Sequence, residues 1–164
     1  MFEKHDWFQG RAVINYDPHR GDMKRRTKWW VVADVIGGFD ISRYYRYQIE
    51  KELLNPLGID NIGSEKKYPF IKLCQPSWGS HISVIRGEKP KPELLKLWKK
   101  YDGMNIPIEY SHQVYKVSNR KRYSDDDGEF WCVKVRSPIL INIRKEFDLP
   151  TDWGLHMTIG RVWQ

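Results

Sequence analysis

The chain has 164 residues, 40% of them hydrophobic and 14% aromatic, which suits one domain with a substantial core and excludes a disordered segment. Its 28 Lys and Arg against 21 Asp and Glu give a formal charge of +7, which favours an anionic partner such as a nucleotide or oligonucleotide. No apolar run is long enough for a bilayer and Met1 to Asp6 holds no apolar signal core, so the expectation is a cytoplasmic protein away from membranes.

In chain order, Arg11 to Tyr16 reads as a strand, followed by a polar turn and the basic stretch Lys24-Arg25-Arg26-Thr27-Lys28. Trp29 to Val35 is a stronger strand that Gly37-Gly38 breaks. Asp40 is the expected N-cap of a helix running to about Asn55, with Ile41, Tyr45, Ile49 and Leu53 repeating every four residues as its buried stripe. Tyr68 to Leu73 reads as a strand, and another starts near Ser80. A second helix, about Pro92 to Tyr101, turns Leu94, Leu97, Trp98 and Tyr101 inward and ends at Gly103. Ile106 to Val117 and Glu129 to Arg136 are strands joined by a polar loop. A third helix, about Pro138 to Phe147, uses Leu140, Ile143 and Phe147, and a last strand runs to Trp163.

Cys74 and Cys132 both sit in apolar, strand-like stretches and read as buried free thiols of a reducing compartment. No zinc-type ligand spacing occurs, and Asp125-Asp126-Asp127-Gly128 lacks the remaining positions of a calcium loop. Neither metal nor cofactor is expected, and no protein partner is indicated.

One pattern occurs twice. Trp78-Gly79-Ser80-His81-Ile82-Ser83-Val84 and Trp153-Gly154-Leu155-His156-Met157-Thr158-Ile159 both read Trp-Gly-x-His-apolar-hydroxyl-apolar, with the histidines 75 positions apart. On a strand, residues i and i+2 share a face, so each copy presents an imidazole beside a hydroxyl while the apolar residues face a core. Each Trp reads as a packing anchor, and Gly79 and Gly154 as permissive backbone entering the strand. Two acid–base groups and two hydroxyl donors suit cleavage of a phosphodiester without a metal.

On these residues the chain resembles the two-histidine (2H) phosphoesterase superfamily, whose signature is a pair of His-x-[Ser/Thr] motifs. The resemblance runs from about Trp29 to Trp163 and rests on His81-Ile82-Ser83 and on Gly154 to Val162. It implies an α+β bilobal fold, with two pseudo-symmetric antiparallel sheets facing a central cleft and helices packed outside. Residues 29–103 and 104–164 would be the two halves of a single domain, and residues 1–28 an N-terminal extension of open role: an added edge strand, a lid, or neither. Relatives in the superfamily include RNA 2′,3′-cyclic phosphodiesterases, 2′,5′-phosphodiesterases and viral nucleases that destroy cyclic-nucleotide or oligoadenylate immune signals.

The catalytic candidates are therefore His81, Ser83, His156 and Thr158. One neutral imidazole takes the proton of a 2′-OH or a water, the other protonates the leaving oxygen, and the hydroxyls bind the non-bridging oxygens. A symmetric motif leaves open which His is base. Arg161 and Arg86 lie three residues beyond the motif hydroxyls, a spacing that points to the opposite face of an ideal strand unless a bulge intervenes. Tyr115, Trp131 and Lys134 lie on strands between the motifs and complete the substrate-binding candidates. The expected activity is metal-independent cleavage of RNA-like or cyclic oligonucleotide phosphodiesters. The alternatives are a non-catalytic nucleotide- or RNA-binding protein and, with no ligand cluster to favour it, a metal-dependent hydrolase.

Overall fold

Alternating apolar residues build six antiparallel strands here, and their pairing closes on itself. The structure, a computed structural model, describes residues 7–20, 27–54, 72–76, 79–118, 128–152 and 154–163. The elements are β1 (Trp7–Tyr16), β2 (Trp30–Val35), α1 (Gly38–Ile49) continued by a π-helical turn Glu50–Leu54, β3 (His81–Arg86), a 3₁₀ helix (Pro92–Leu97), β4 (Asn105–Ser118), β5 (Gly128–Arg136), α2 (Pro138–Glu146) and β6 (His156–Trp163). The strands form a closed barrel in the order β1-β2-β3-β6-β5-β4.

This corrects the expected bilobal architecture of two sheets facing a cleft. Both seams between the halves are hydrogen-bonded. β1 pairs with β4 from Trp7 opposite Ser111 to Val13 opposite Asn105, and β3 meets β6 at Ile82 opposite Met157. Closure removes the strand edges that two separate sheets would expose. Tyr45 and Ile49 of α1 and Leu140 and Ile143 of α2 belong to the same core as the strand residues Ile14, Ala33, Ile82 and Met157.

The main elements run β1-β2-α1-β3 and then β4-β5-α2-β6, the same order twice. Exchanging the two halves leaves the barrel order unchanged. Within the expected N-terminal extension, β1 pairs on both sides, with β2 and β4.

Local chemistry explains most helix limits. α1 starts at Gly38, after Gly37 at φ 73°, so Asp40 lies in the first turn instead of capping it, where its charge still complements the helix dipole. Leu53, expected on the buried stripe, is exposed on the π-helical turn. The second expected helix is 3₁₀ up to Leu97 and continues as turns, yet Leu94, Leu97, Trp98 and Tyr101 pack on the core as their spacing requires. α2 is capped by Ser137 Oγ, which accepts from the Leu140 N–H at 3.3 Å, with Pro138 in the first turn. Of the expected strand over 68–73, only the last residues are described: Leu73 is buried, and Cys74 makes an isolated antiparallel bridge to Arg161. Cys132 is buried as expected, whereas Cys74 is exposed; both are free thiols. Trp78, Trp153 and the acidic run 125–127 lie outside the described residues.

Candidate active site

The barrel brings the two motifs onto neighbouring strands. Ala33, Ile82, Met157 and Val133 form one row across β2, β3, β6 and β5, each fully buried in the core that also holds the helix residues. Burying such a Val, Ile or Met side chain is worth roughly 1.5–3 kcal/mol, which fixes the register, because a one-residue slip would turn the imidazoles into that core. One antiparallel step either side of Ile82 and Met157 sets His81 opposite Thr158 and Ser83 opposite His156. In such a register directly opposed side chains start about 5 Å apart and diagonal ones about 7–8 Å, which would let the two imidazoles flank a space bordered by both hydroxyls. All four residues are half-buried.

Flanking strands extend the rows. Asp34 of β2 is the partner of His81 and Val32 the partner of Ser83; Cys132 of β5 is the partner of Thr158 and Lys134 the partner of His156. Tyr115 of β4 lies beyond Cys132, and burial pushes its hydroxyl up to about 12, so it remains a neutral donor. Trp131 is instead placed in the hydrophobic core with Val133 and Val135, away from the motif face.

Each motif strand contains a bulge at the same place. The β2–β3 register passes over Val84, between Ser83 opposite Val32 and Ile85 opposite Val31. The β5–β6 register passes over Ile159, between Thr158 opposite Cys132 and Gly160 opposite Trp131. The extra residue reverses the alternation, so Val84 and Ile85 are both core residues and Arg86 returns to the motif face. There the Arg86 guanidinium lies 5.3 Å from the centre of the Trp30 ring; at the equivalent place Arg161 lies 5.1 Å from the centre of Phe130.

A bulge leaves a carbonyl outside the regular ladder, and an arginine from the other half takes each one. Arg144 Nη1 of α2 donates to Val84 O at 2.8 Å, and Arg46 Nη1 of α1 donates to Ile159 O at 3.4 Å. Gly160 gives Arg46 its room, since a Cβ there would lie 3.1 Å from the Arg46 side chain.

The environments of the two hydroxyls differ. Trp30, almost fully buried, donates its indole N–H to Ser83 Oγ at 3.4 Å. Thr158 Oγ1 instead lies 3.8 Å from Cys132 Sγ, a thiol that burial keeps protonated. His81 Nδ1 lies 3.2 Å from the carbonyl of Gly79. A carbonyl only accepts, so Nδ1 carries the proton and Nε2 keeps the lone pair. Burial, opposed by that hydrogen bond and by Asp34, and helped by the charges of Arg20 and Arg86, holds the His81 pKa below its ordinary value. Gly79 needs its left-handed φ of 76°, whereas Gly154 is not among the positive-φ glycines.

No family model, curated protein or solved structure matches the chain. Among the described residues, no group of three or more His, Cys, Asp or Glu is placed to hold a metal ion, and no helix is long and apolar enough to cross a membrane. Sequence reasoning missed Trp30, Asp34 and Arg20 at the motif face and Arg46 and Arg144 behind it. Cys132 it read only as a buried thiol. None carries a local signal, because each reaches its place through strand pairing.

Proposed function

We propose that this chain is a phosphodiesterase of the two-histidine type, cleaving an RNA-like or cyclic oligonucleotide. What carries the reading is the Ile82–Met157 pairing, which gives a doubled His-x-[Ser/Thr] motif one shared face. The expected fold is not what supports it; the chemistry resides in the site, which here would stand on a closed barrel.

His81 suits the base. It is held neutral, its Nδ1 is occupied by Gly79, and Nε2 is left to accept the proton of the attacking 2′-OH or water. The attacking oxygen forms a bond to phosphorus, the P–O bond to the leaving group breaks, and His156 gives its proton to that oxygen. Ser83 and Thr158 donate to the non-bridging oxygens, with most effect as these gain charge. Free thiols and the absence of a membrane-crossing helix among the described residues fit a cytoplasmic setting.

The test is a cleavage screen after EDTA treatment, over 2′,3′-cyclic mononucleotides, 2′,5′-oligoadenylate, short RNA and cyclic di- and trinucleotides. Wild type should cleave one class, and His81→Ala and His156→Ala should each lose about 10²–10⁴-fold while keeping the wild-type circular dichroism. Undiminished turnover in both variants would remove the proposal. Tight binding without cleavage would favour a nucleotide- or RNA-binding protein instead.

A further inference from the structure

Arg20 sits on the loop that leaves β1, outside the part of the chain on which the motifs lie. Its Nη2 donates to Asp34 Oδ1 at 2.5 Å, and Asn15 Nδ2 donates to the other carboxylate oxygen at 3.4 Å. Asp34 is the strand partner of His81, so this ion pair borders the base, and the Arg20 charge is felt at its imidazole. The guanidinium is nevertheless under-used. Its side chain is 15% exposed, and its Nε is shielded from water with no acceptor among the described residues. A buried donor left unpaired is costly, so this one marks a guanidinium that its protein partners do not saturate. The charge count agrees. Among the described residues whose charges act on His81, Arg20 and Arg86 supply two cations against the carboxylate of Asp34, a balance that favours a phosphate.

We propose that Arg20 is a substrate-binding residue, a phosphate clamp preset by Asp34 that holds a non-bridging oxygen of the group the two histidines cleave. The role rests on the phosphodiesterase reading, but it is measured as binding. Asn15 holds Asp34, Asp34 orients the fork through Nη2, and the bound phosphate takes Nη1, which is not among the buried, unpaired atoms. The plain alternative is that Arg20 merely ties its loop to β2.

Inorganic phosphate titrated into the full chain, followed through the His81 and His156 imidazole resonances, separates the two. With Arg20→Gln the phosphate Kd should rise about 10- to 100-fold, the span expected for charge-assisted hydrogen bonds. Arg20→Lys keeps the charge but loses the planar fork, and should recover only part of that loss. It also serves if Arg20→Gln folds poorly. Unchanged phosphate affinity in the folded variants, or no phosphate binding by wild type, would overturn the assignment. Retained turnover in His81→Ala and His156→Ala would remove the catalytic reading and leave the phosphate titration to decide Arg20 independently.

Discussion

Trp30 donates its indole N–H to Ser83 Oγ at 3.4 Å. An indole nitrogen has no acceptor capacity, so Ser83 must accept, and its own proton is left to point elsewhere. On the motif face that direction belongs to the substrate. Trp30→Phe keeps the ring beside Arg86 and removes the donor. The expected result is a fall in kcat of about 2- to 10-fold, the worth of one net hydrogen bond, with KM little changed. Because Trp30 acts through Ser83, Trp30→Phe added to Ser83→Ala should cost nothing further. Multiplying losses in that double variant would show that Trp30 serves some other purpose.

The two motif glycines should respond differently to the same substitution. Gly79 has φ 76°, and a Cβ there would lie 3.2 Å from the Phe39 ring. Gly79→Ala is expected to destabilise by about 1–2 kcal/mol and to lower activity, since the carbonyl that fixes the His81 tautomer belongs to Gly79. Gly154 has no positive φ and open space around its Cβ position, so Gly154→Ala should stay within about 0.5 kcal/mol. Denaturant unfolding of the two variants checks the contrast.

These pairs also mark how far the residues could be read before the structure. The motif strands were legible because a two-residue alternation is local, and the inner faces of α1 and α2 because Tyr45 with Ile49 and Leu140 with Ile143 keep helical spacing. Closure was not, since nothing in the composition of β1 says that it pairs with β4. Arg86 and Arg161 stand at an odd offset from His81 and His156, which reads as the wrong face until one extra residue, Val84 or Ile159, reverses the alternation. A bulge is settled by its partner strand and by whatever satisfies its free carbonyl. Here that is Arg144 or Arg46, distant in the chain and contributed by the other half. The resemblance of the motifs therefore misjudged the architecture around them.

Burial holds the His81 pKa below its ordinary value of 6.5. The neutral base should therefore persist below that value, and the acid limb of kcat/KM should fall at lower pH than an unperturbed imidazole would give. Stability carries the same signature. Below about pH 6.5 the unfolded chain takes up the His81 proton before the folded one does, so stability is lost as pH falls from there through the folded pKa. His81→Gln cannot bind that proton. The stability difference between wild type and His81→Gln should be flat above pH 7 and move in favour of the variant as pH drops to 5. A difference that shifts the other way would mean that His81 is held as the cation.

Arg144 is 1% exposed and almost wholly committed to protein partners. It makes a bidentate pair with Glu88 at 2.8 and 2.9 Å, and also donates to Val84 O at 2.8 Å and Pro150 O at 2.6 Å. Removing Glu88 leaves a buried guanidinium without its counter-charge, so Glu88→Ala should cost about 3 kcal/mol, the low end for a broken buried pair because the Glu88 side chain is itself 34% exposed. The Arg144 hydrogen bonds hold the Glu88 carboxyl below its ordinary value of 4.5. That stabilisation is present above pH 4.5 and is lost as pH falls through the folded pKa, and Glu88→Ala should lack this part of the acid transition. The loss should also reach the site. Arg144 secures the bulge carbonyl that brings Arg86 to the motif face, so at temperatures where the variant remains folded its KM should rise more than its kcat falls. Wild-type KM in folded Glu88→Ala would separate the pair from the placement of Arg86.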